Sequence, residues 1–259
     1  MTTATILAAL VSGGAIGLIL GLVGGGGSIL AVPLLVYVVG IASPHVAIGT
    51  AAVAVAANAL ASLVGHARGG RVKWPCASVF AVAGMIGAAL GAALGKSVDG
   101  DKLLALFGLL MIGVGLSMVR KRRKPAAPDV RLASNTAATL LPRLIPTGML
   151  VGLAAGFFGI GGGFLIVPGL IFATAMPLPY AIGTSLVVVS ALGLTTALSY
   201  AASGLVDWSV TGLLIAGGVG GTIAGIALGK VLGARKGVLE RGFAGLVILI
   251  GGYIAATSL

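Results

Sequence analysis

The sequence predicts an all-α integral membrane protein built from two homologous repeats, each a glycine-broken helical hairpin followed by three transmembrane helices. Three observations carry this reading. Only 8% of the 259 residues are charged and 58% are hydrophobic, against about 25% charged in an ordinary soluble domain. Mean hydropathy is +1.19. Apolar runs of roughly 20 residues, long enough to cross a hydrocarbon core of about 30 Å, recur from end to end. One half of the chain also repeats the other.

The repeat is read residue by residue. Gly13, Gly17 and Gly21 return as Gly148, Gly152 and Gly156. The run from Gly24 to Pro33 returns as Gly159 to Pro168, and Ala47-Ile48-Gly49-Thr50 as Ala181-Ile182-Gly183-Thr184. Val72-Lys73-Trp74 matches Val206-Asp207-Trp208, and Gly87, Gly91, Gly95 and Lys96 match Gly221, Gly225, Gly229 and Lys230. Self-similarity over so long a stretch marks a duplicated architecture. The units are residues 1–119 and 144–259, joined by a basic, proline-bearing linker over 120–143, expected to be an exposed cytoplasmic connection.

Each copy opens on a long apolar stretch, 4–40 and 145–175. A single helix over 4–40 would run roughly 55 Å, too long for one span. The four glycines Gly24–Gly27 should break it, since each costs about 1 kcal/mol relative to Ala in a helix. Two shorter helices meeting at the glycines are therefore expected, as a tight hairpin or a re-entrant pair. Three cleaner spans follow in each copy: 46–66, 75–95 and 103–119, then 180–201, 209–229 and 242–257. The total is eight to ten membrane segments.

Charge orients them. Arg120-Lys121-Arg122-Arg123-Lys124 should be cytoplasmic, and counting back puts Arg68, Arg71 and Lys73 on the same side. In the second copy the positive loop is 230–241, one step later than in the first. Inverted copies, with five crossings each, place it inside; parallel copies of four crossings place it outside, against the charge rule. Inversion is the favoured reading, and broken helices in inverted repeats are a common transporter plan.

The glycine clusters are the candidate site. A helix starting near Gly27-Ser28 or Gly162-Gly163 would present free N–H groups and a partial positive charge inside the membrane. Bare glycines let an anion approach that backbone. Gly25, Gly26, Gly27, Ser28, Gly161, Gly162 and Gly163 are therefore candidate substrate-binding residues, with tight helix packing as the alternative. Thr50, Thr184 and Ser185 stand near helix starts and either cap those helices or hydrogen-bond the substrate. Asn58, an amide in mid-span, either ties helices together or lines the pathway. His66 is a candidate proton-coupling group, or simply an interfacial histidine. Spaced glycines such as Gly13/Gly17/Gly21 and Gly87/Gly91/Gly95 are read as packing seams.

Other chemistries are set aside. The acids Asp99, Asp101, Asp129, Asp207 and Glu240 all map to loops, which argues against a carboxylate-lined cation pathway. Gly91 to Ser97 falls one residue short of a P-loop. Two distant histidines and the lone Cys76 make no zinc site, so no metal or cofactor is expected. No GxSxG elbow occurs. The net charge of +11 is gathered into short loops rather than a basic face, so nucleic acid is not a partner. Residues Met1–Leu10 lack a basic n-region, so a cleaved signal peptide is not expected.

The glycine blocks Gly24–Pro33 and Gly159–Pro168, with Gly49-Thr50 and Gly183-Thr184-Ser185, resemble the TauE/SafE family of sulfite exporters. The turns Gly69-Gly70-Arg71-Val72-Lys73-Trp74 and Gly204-Leu205-Val206-Asp207-Trp208 are similar to that family as well. The resemblance covers nearly the whole chain. It implies a multi-pass permease of a bacterial plasma membrane for sulfite or related sulfur oxyanions and organosulfonates. The expectation is a proton-coupled secondary transporter exporting sulfite, with a thiosulfate or organosulfonate permease, an anion channel or a partner-dependent subunit as alternatives. Its partners are then the small anionic substrate and the lipid bilayer; a homodimer is compatible with the sequence.

Overall fold

A computed structural model describes residues 2–23, 25–119, 134–159, 163–231 and 236–257. Among the described residues there is no strand. Helix α1 is Thr3–Val23. After it, Gly25–Leu30 is a 3-10 segment, Ala31–Pro33 one α-turn and Leu34–Val39 a π-helical segment. We call these together α2; it ends at Gly40, whose φ of 84° only glycine adopts freely. Then come α3 (Pro44–Arg68), α4 (Trp74–Ser97), α5 (Gly100–Val119), α6 (Ser134–Phe158), α7 (Gly163–Thr174), α8 (Leu178–Ala202), α9 (Trp208–Val231) and α10 (Lys236–Thr257). The long stretch of each copy is broken at its glycines, as expected.

Six of the described helices are long and apolar enough to span a bilayer, and α2, α7 and part of α10 are shorter apolar helices. The outward faces carry apolar side chains such as Leu7, Ile86, Leu150, Phe172, Ile223 and Leu249, as a lipid-facing surface requires. The chain is a multi-pass membrane protein. Trp74 and Trp208 are exposed at the equivalent starts of α4 and α9, where membrane interfaces favour tryptophan.

One expectation is corrected in extent. The stretch up to 143 reads as exposed linker, yet α6 begins at Ser134 and runs through Pro142 and Pro146. Leu144 is buried and Leu140 packs on the core. That anchorage outweighs the two missing amide donors, which a membrane helix tolerates when neighbours support it. The basic run 120–124 lies outside the described residues.

The glycine seams pair helices of different copies. A β-carbon added at Gly13, Gly17 or Gly21 would strike the backbone of Leu214, Gly218 or Thr222, so α1 lies parallel to α9 in backbone contact. In the same way Gly148, Gly152 and Gly156 meet Phe80, Gly84 and Ala88, so α6 lies parallel to α4. Close approach gains dispersion contacts that lipid cannot supply. Two further pairs join equivalent helices. Gly193 of α8 faces Ala56 of α3 while Gly49 faces Tyr200, so α3 and α8 run antiparallel. Gly108 faces Gly251 while Gly115 faces Ile248, so α5 and α10 also run antiparallel.

Candidate functional site

The starts of α2 and α7 position the site. Gly27 sits on α1: a β-carbon there would come within 2.7 Å of the Leu20 nitrogen and 2.8 Å of the Ile16 oxygen. Its bareness is thus used for packing against α1. Opposite that stretch of α1, Gly17 meets Gly218 of α9, and Gly218 meets the side chain of Asn58. Asn58 is near the middle of α3, so the first turn of α2 lies at mid-depth. Residues Gly25–Leu30 also pack against α7, and touch α3 and α8. The helices that follow the two glycine clusters are therefore neighbours in the interior.

Ser28 is fully buried at the start of α2. Gly163 is the first residue of α7 and is buried; Gly161 and Gly162 lie outside the described residues. Just before them, Gly159 closes α6 with φ of 63°, and a β-carbon there would strike Ile48. The end of α6 is so pinned to the first turns of α3. A helix beginning in the interior keeps several N–H groups without intrahelical partners, the donor set an oxyanion needs.

Thr50 and Thr184 lie more than a turn inside α3 and α8, and each hydroxyl accepts a backbone amide from a distant loop rather than capping its own helix. Thr50 Oγ1 accepts the backbone N–H of Asp207 at 3.0 Å, and Thr184 Oγ1 accepts that of Lys73 at 3.0 Å. Each hydroxyl therefore holds the other copy's loop, just before α9 and α4. The neighbouring glycines allow the approach: a β-carbon at Gly49 would strike the Leu205 carbonyl, and one at Gly183 that of Arg71. Both hydroxyls keep their own hydrogen for a second contact. Ser185 Oγ donates to the Ile182 carbonyl of its own helix at 2.8 Å.

Asn58 is fully buried between α3 and α9, with Nδ2 3.5 Å from the Leu214 carbonyl and Oδ1 without a hydrogen-bond partner. Its counterpart Leu192 fills the same place against Gly84. Two turns further on, His66 is buried near the end of α3 with both ring nitrogens unpartnered. Among the described residues, the structure buries Gly27, Ser28 and Gly163, places Asn58 in mid-helix against Gly218, and sends Thr50, Thr184 and His66 towards the helix ends. Among the described residues no three His, Cys, Asp or Glu side chains gather to hold a metal.

Sequence reasoning passed over three buried or partly buried groups. Lys96 Nζ donates to Ser199 O (3.2 Å), Ser199 Oγ (3.0 Å) and Ser203 Oγ (3.0 Å), tying the end of α4 to the end of α8. Its recurrence as Lys230 at the same repeat position was the available signal. Ser62 and Thr222 meet between α3 and α9; the spacing of Asn58, Ser62 and His66 at every fourth residue could have exposed that face.

The family model described as sulfite exporter TauE/SafE matches residues 9–254. The chain belongs to the TauE/SafE family. A protein of Xylella fastidiosa strain 9a5c, named probable membrane transporter protein, is 49% identical over 254 residues, covering 98% of this chain and 96% of that one. Probable membrane transporter protein YunE of Bacillus subtilis strain 168 is 26% identical over 245 residues, covering 86% and 90%. A probable membrane transporter protein of Methanocaldococcus jannaschii is 26% identical over 194 residues, covering 71% and 70%. No solved structure matches the TauE/SafE chain.

Proposed function

We propose that this TauE/SafE protein is a secondary transporter that exports a small sulfur oxyanion, sulfite foremost, across the bacterial plasma membrane with proton coupling. One observation supports the reading: the first turn of α2, which follows one glycine cluster, packs against α7, the helix that follows the other. Amide donors at Gly25–Ser28 and Gly161–Gly163 would grip the anion, with Asn58, Thr50, Thr184 and Ser185 as lesser contacts and His66 as the proton carrier. The units 1–119 and 144–259 would be inverted copies. The antiparallel course of α3 against α8 and of α5 against α10 supports this, because equivalent helices of parallel copies would run the same way. Inversion also puts Arg68, Arg71, Lys73 and the C-terminal ends of α5 and α9 on one face, which the positive-inside rule makes cytoplasmic. Rocking of one copy against the other would alternate access.

The test is flux in proteoliposomes. Sulfite, thiosulfate, sulfate and organosulfonates are compared with and without a proton gradient. Saturable sulfite flux stimulated by the gradient, and lost in Gly26→Val and Gly162→Val while protein still inserts, is the expected result. Full transport by either variant removes the glycine site. Ohmic current instead of saturation makes the protein a channel, and preference for another anion reassigns the substrate.

A further inference from the structure

Close-packed helices resist deformation and are displaced as units. The close contacts sort eight helices into two such groups. In the first, α1 lies on α9 along Gly13, Gly17 and Gly21, the start of α2 lies on α1 at Gly27, and α3 lies on α9, where Asn58 meets Gly218 and Gly65 meets Ile226. In the second, α6 lies on α4 along Gly148, Gly152 and Gly156, α7 lies on both where Gly169 meets Val151 and Phe80, and α8 lies on α4 where Leu192 meets Gly84. The α9 group is thus α1, α2, α3 and α9; the α4 group is α6, α7, α8 and α4. The repeat maps one onto the other, and each holds helices from both copies.

Hydrogen bonds follow the same division. Asn58 to the Leu214 carbonyl, Ser62 to Thr222 and Thr222 to the Gly17 carbonyl all tie helices of the α9 group. Lys96 to Ser199 and Ser203 ties α4 to α8 within the other. The two threonine bonds obey it too. Asp207 immediately precedes α9, and its amide is held by Thr50 of α3; Lys73 immediately precedes α4, and its amide is held by Thr184 of α8. Each turn is therefore fastened to the group it is entering. None of these bonds runs from one group to the other.

Where the groups meet, the contacts are apolar. Gly193 of α8 faces Ala56 of α3, Gly159 at the end of α6 faces Ile48, and the first turn of α2 packs against α7. Such contacts give dispersion attraction and can slide without breaking a hydrogen bond. The chain leaves α3 for α4 at 69–73 and α8 for α9 at 203–207. With the far end of each turn fastened, the freedom left lies at Gly70 and Gly204. Their φ angles are 63° and 70°, and a β-carbon at either would meet nothing within 4 Å. Hinges are a few such residues at the ends of elements.

We propose that access alternates by rocking of the α9 group against the α4 group, with Gly70 and Gly204 as the hinge residues. The proposal rests on the transport reading and deepens it. The parts that rock are these two groups, each assembled from both copies, while residues 1–119 and 144–259 do not part as units. The contact of α2 with α7 lies on the boundary between the groups, so the motion would open the candidate anion site to one face and then the other.

The test is distance measurement between paired spin labels on the full-length protein in liposomes, in a Cys76→Ala background, at acid and alkaline pH spanning the titration of a histidine. Leu7, Leu94, Leu150 and Ile223 are exposed on α1, α4, α6 and α9 and take the labels. Leu7–Ile223 and Leu94–Leu150 each lie within one group and join the two copies. Leu7–Leu94 and Ile223–Leu150 each lie within one copy and join the two groups. The first two distances should hold, and the last two should shift or split by several ångströms. The opposite pattern, four constant distances, or four that change alike overturns the proposal. A covalent bridge gives a second measurement. A β-carbon on Gly148 would stand 3.3 Å from that of Ala83, near the separation of about 3.5–4.5 Å in a disulfide. Oxidised Ala83→Cys/Gly148→Cys protein should keep more than half the sulfite flux of its reduced form, and a larger loss overturns the grouping. Sulfite cleaves accessible disulfides, so the bridge is counted by thiol labelling after the assay. Absent sulfite flux in the wild type sinks the transport reading, while the label distances still decide which helices move together.

Discussion

The hydroxyl of Thr50 accepts the amide of Asp207, 157 positions later in the chain, at 3.0 Å. The same bond between Thr184 and Lys73 repeats it at the far end of the α3–α8 pair. Thr50→Val keeps the shape and strands an amide, so it should cost about 1–3 kcal/mol. Thr50→Ser should recover most of that. With the two bonds at opposite ends of the pair, the losses of Thr50→Val and Thr184→Val should add within about 0.5 kcal/mol. Thermal unfolding in detergent measures each; a neutral Thr50→Val would show that the bond contributes nothing.

Glycines in the seams and glycines facing lipid should respond oppositely. Gly17→Leu and Gly152→Leu drive a side chain into the backbones of Gly218 and Gly84, and should yield no stable monodisperse protein. A β-carbon added at Gly220 would meet no other part of the molecule within 4 Å, and the residue is exposed. Gly220→Ala should hold or raise the melting temperature, since Ala gains up to about 1 kcal/mol over Gly in a helix. Size-exclusion profiles and melts of the three variants check this.

Lys96 ties α4 to α8 through three donated bonds. Lys96→Met keeps the apolar stem and removes them. The site is only partly buried, so the expected loss is about 1 kcal/mol rather than the sum of three charged hydrogen bonds. Lys96→Arg should restore part of it. An unchanged melt for Lys96→Met would mean that water replaces the tie at no cost.

His66 is the group through which proton coupling would act. His66→Ala should flatten the dependence of sulfite flux on pH while leaving uncoupled flux measurable. His66→Tyr, which copies Tyr200 of the second repeat, should do the same without opening a cavity. A pH profile unchanged in both removes His66 from the mechanism.

Much of this was legible in the sequence because bilayer thickness and glycine content act locally. Every span from 46–66 to 209–229 lies within the helix that forms there, since apolar length alone decides it. The breaks at Gly24–Gly27 and before Gly163 followed from helix propensity. What a single chain does not reveal is which seam meets which. Gly17 reads as a packing glycine, but that it packs on Gly218 depends on the arrangement of both copies. The role of Thr50 was hidden for the same reason: its partner is the amide of a distant loop, and an amide leaves no mark on the sequence. The early start of α6 was obscured by Pro142, whose local preference is overridden by the packing of buried Leu144.

Because α1 lies on α9 and α6 lies on α4, each half of the molecule has lent its opening helix to the other. A chain severed between 119 and 134 would give two fragments, each with an uncovered glycine face and neither with a finished interior. Coexpressed, they should find one another and rebuild the whole; expressed singly, each should be degraded. A half-length forerunner of such a protein could have stood in the membrane only as an interlocked couple, so partnership between halves would be older than their fusion into one polypeptide.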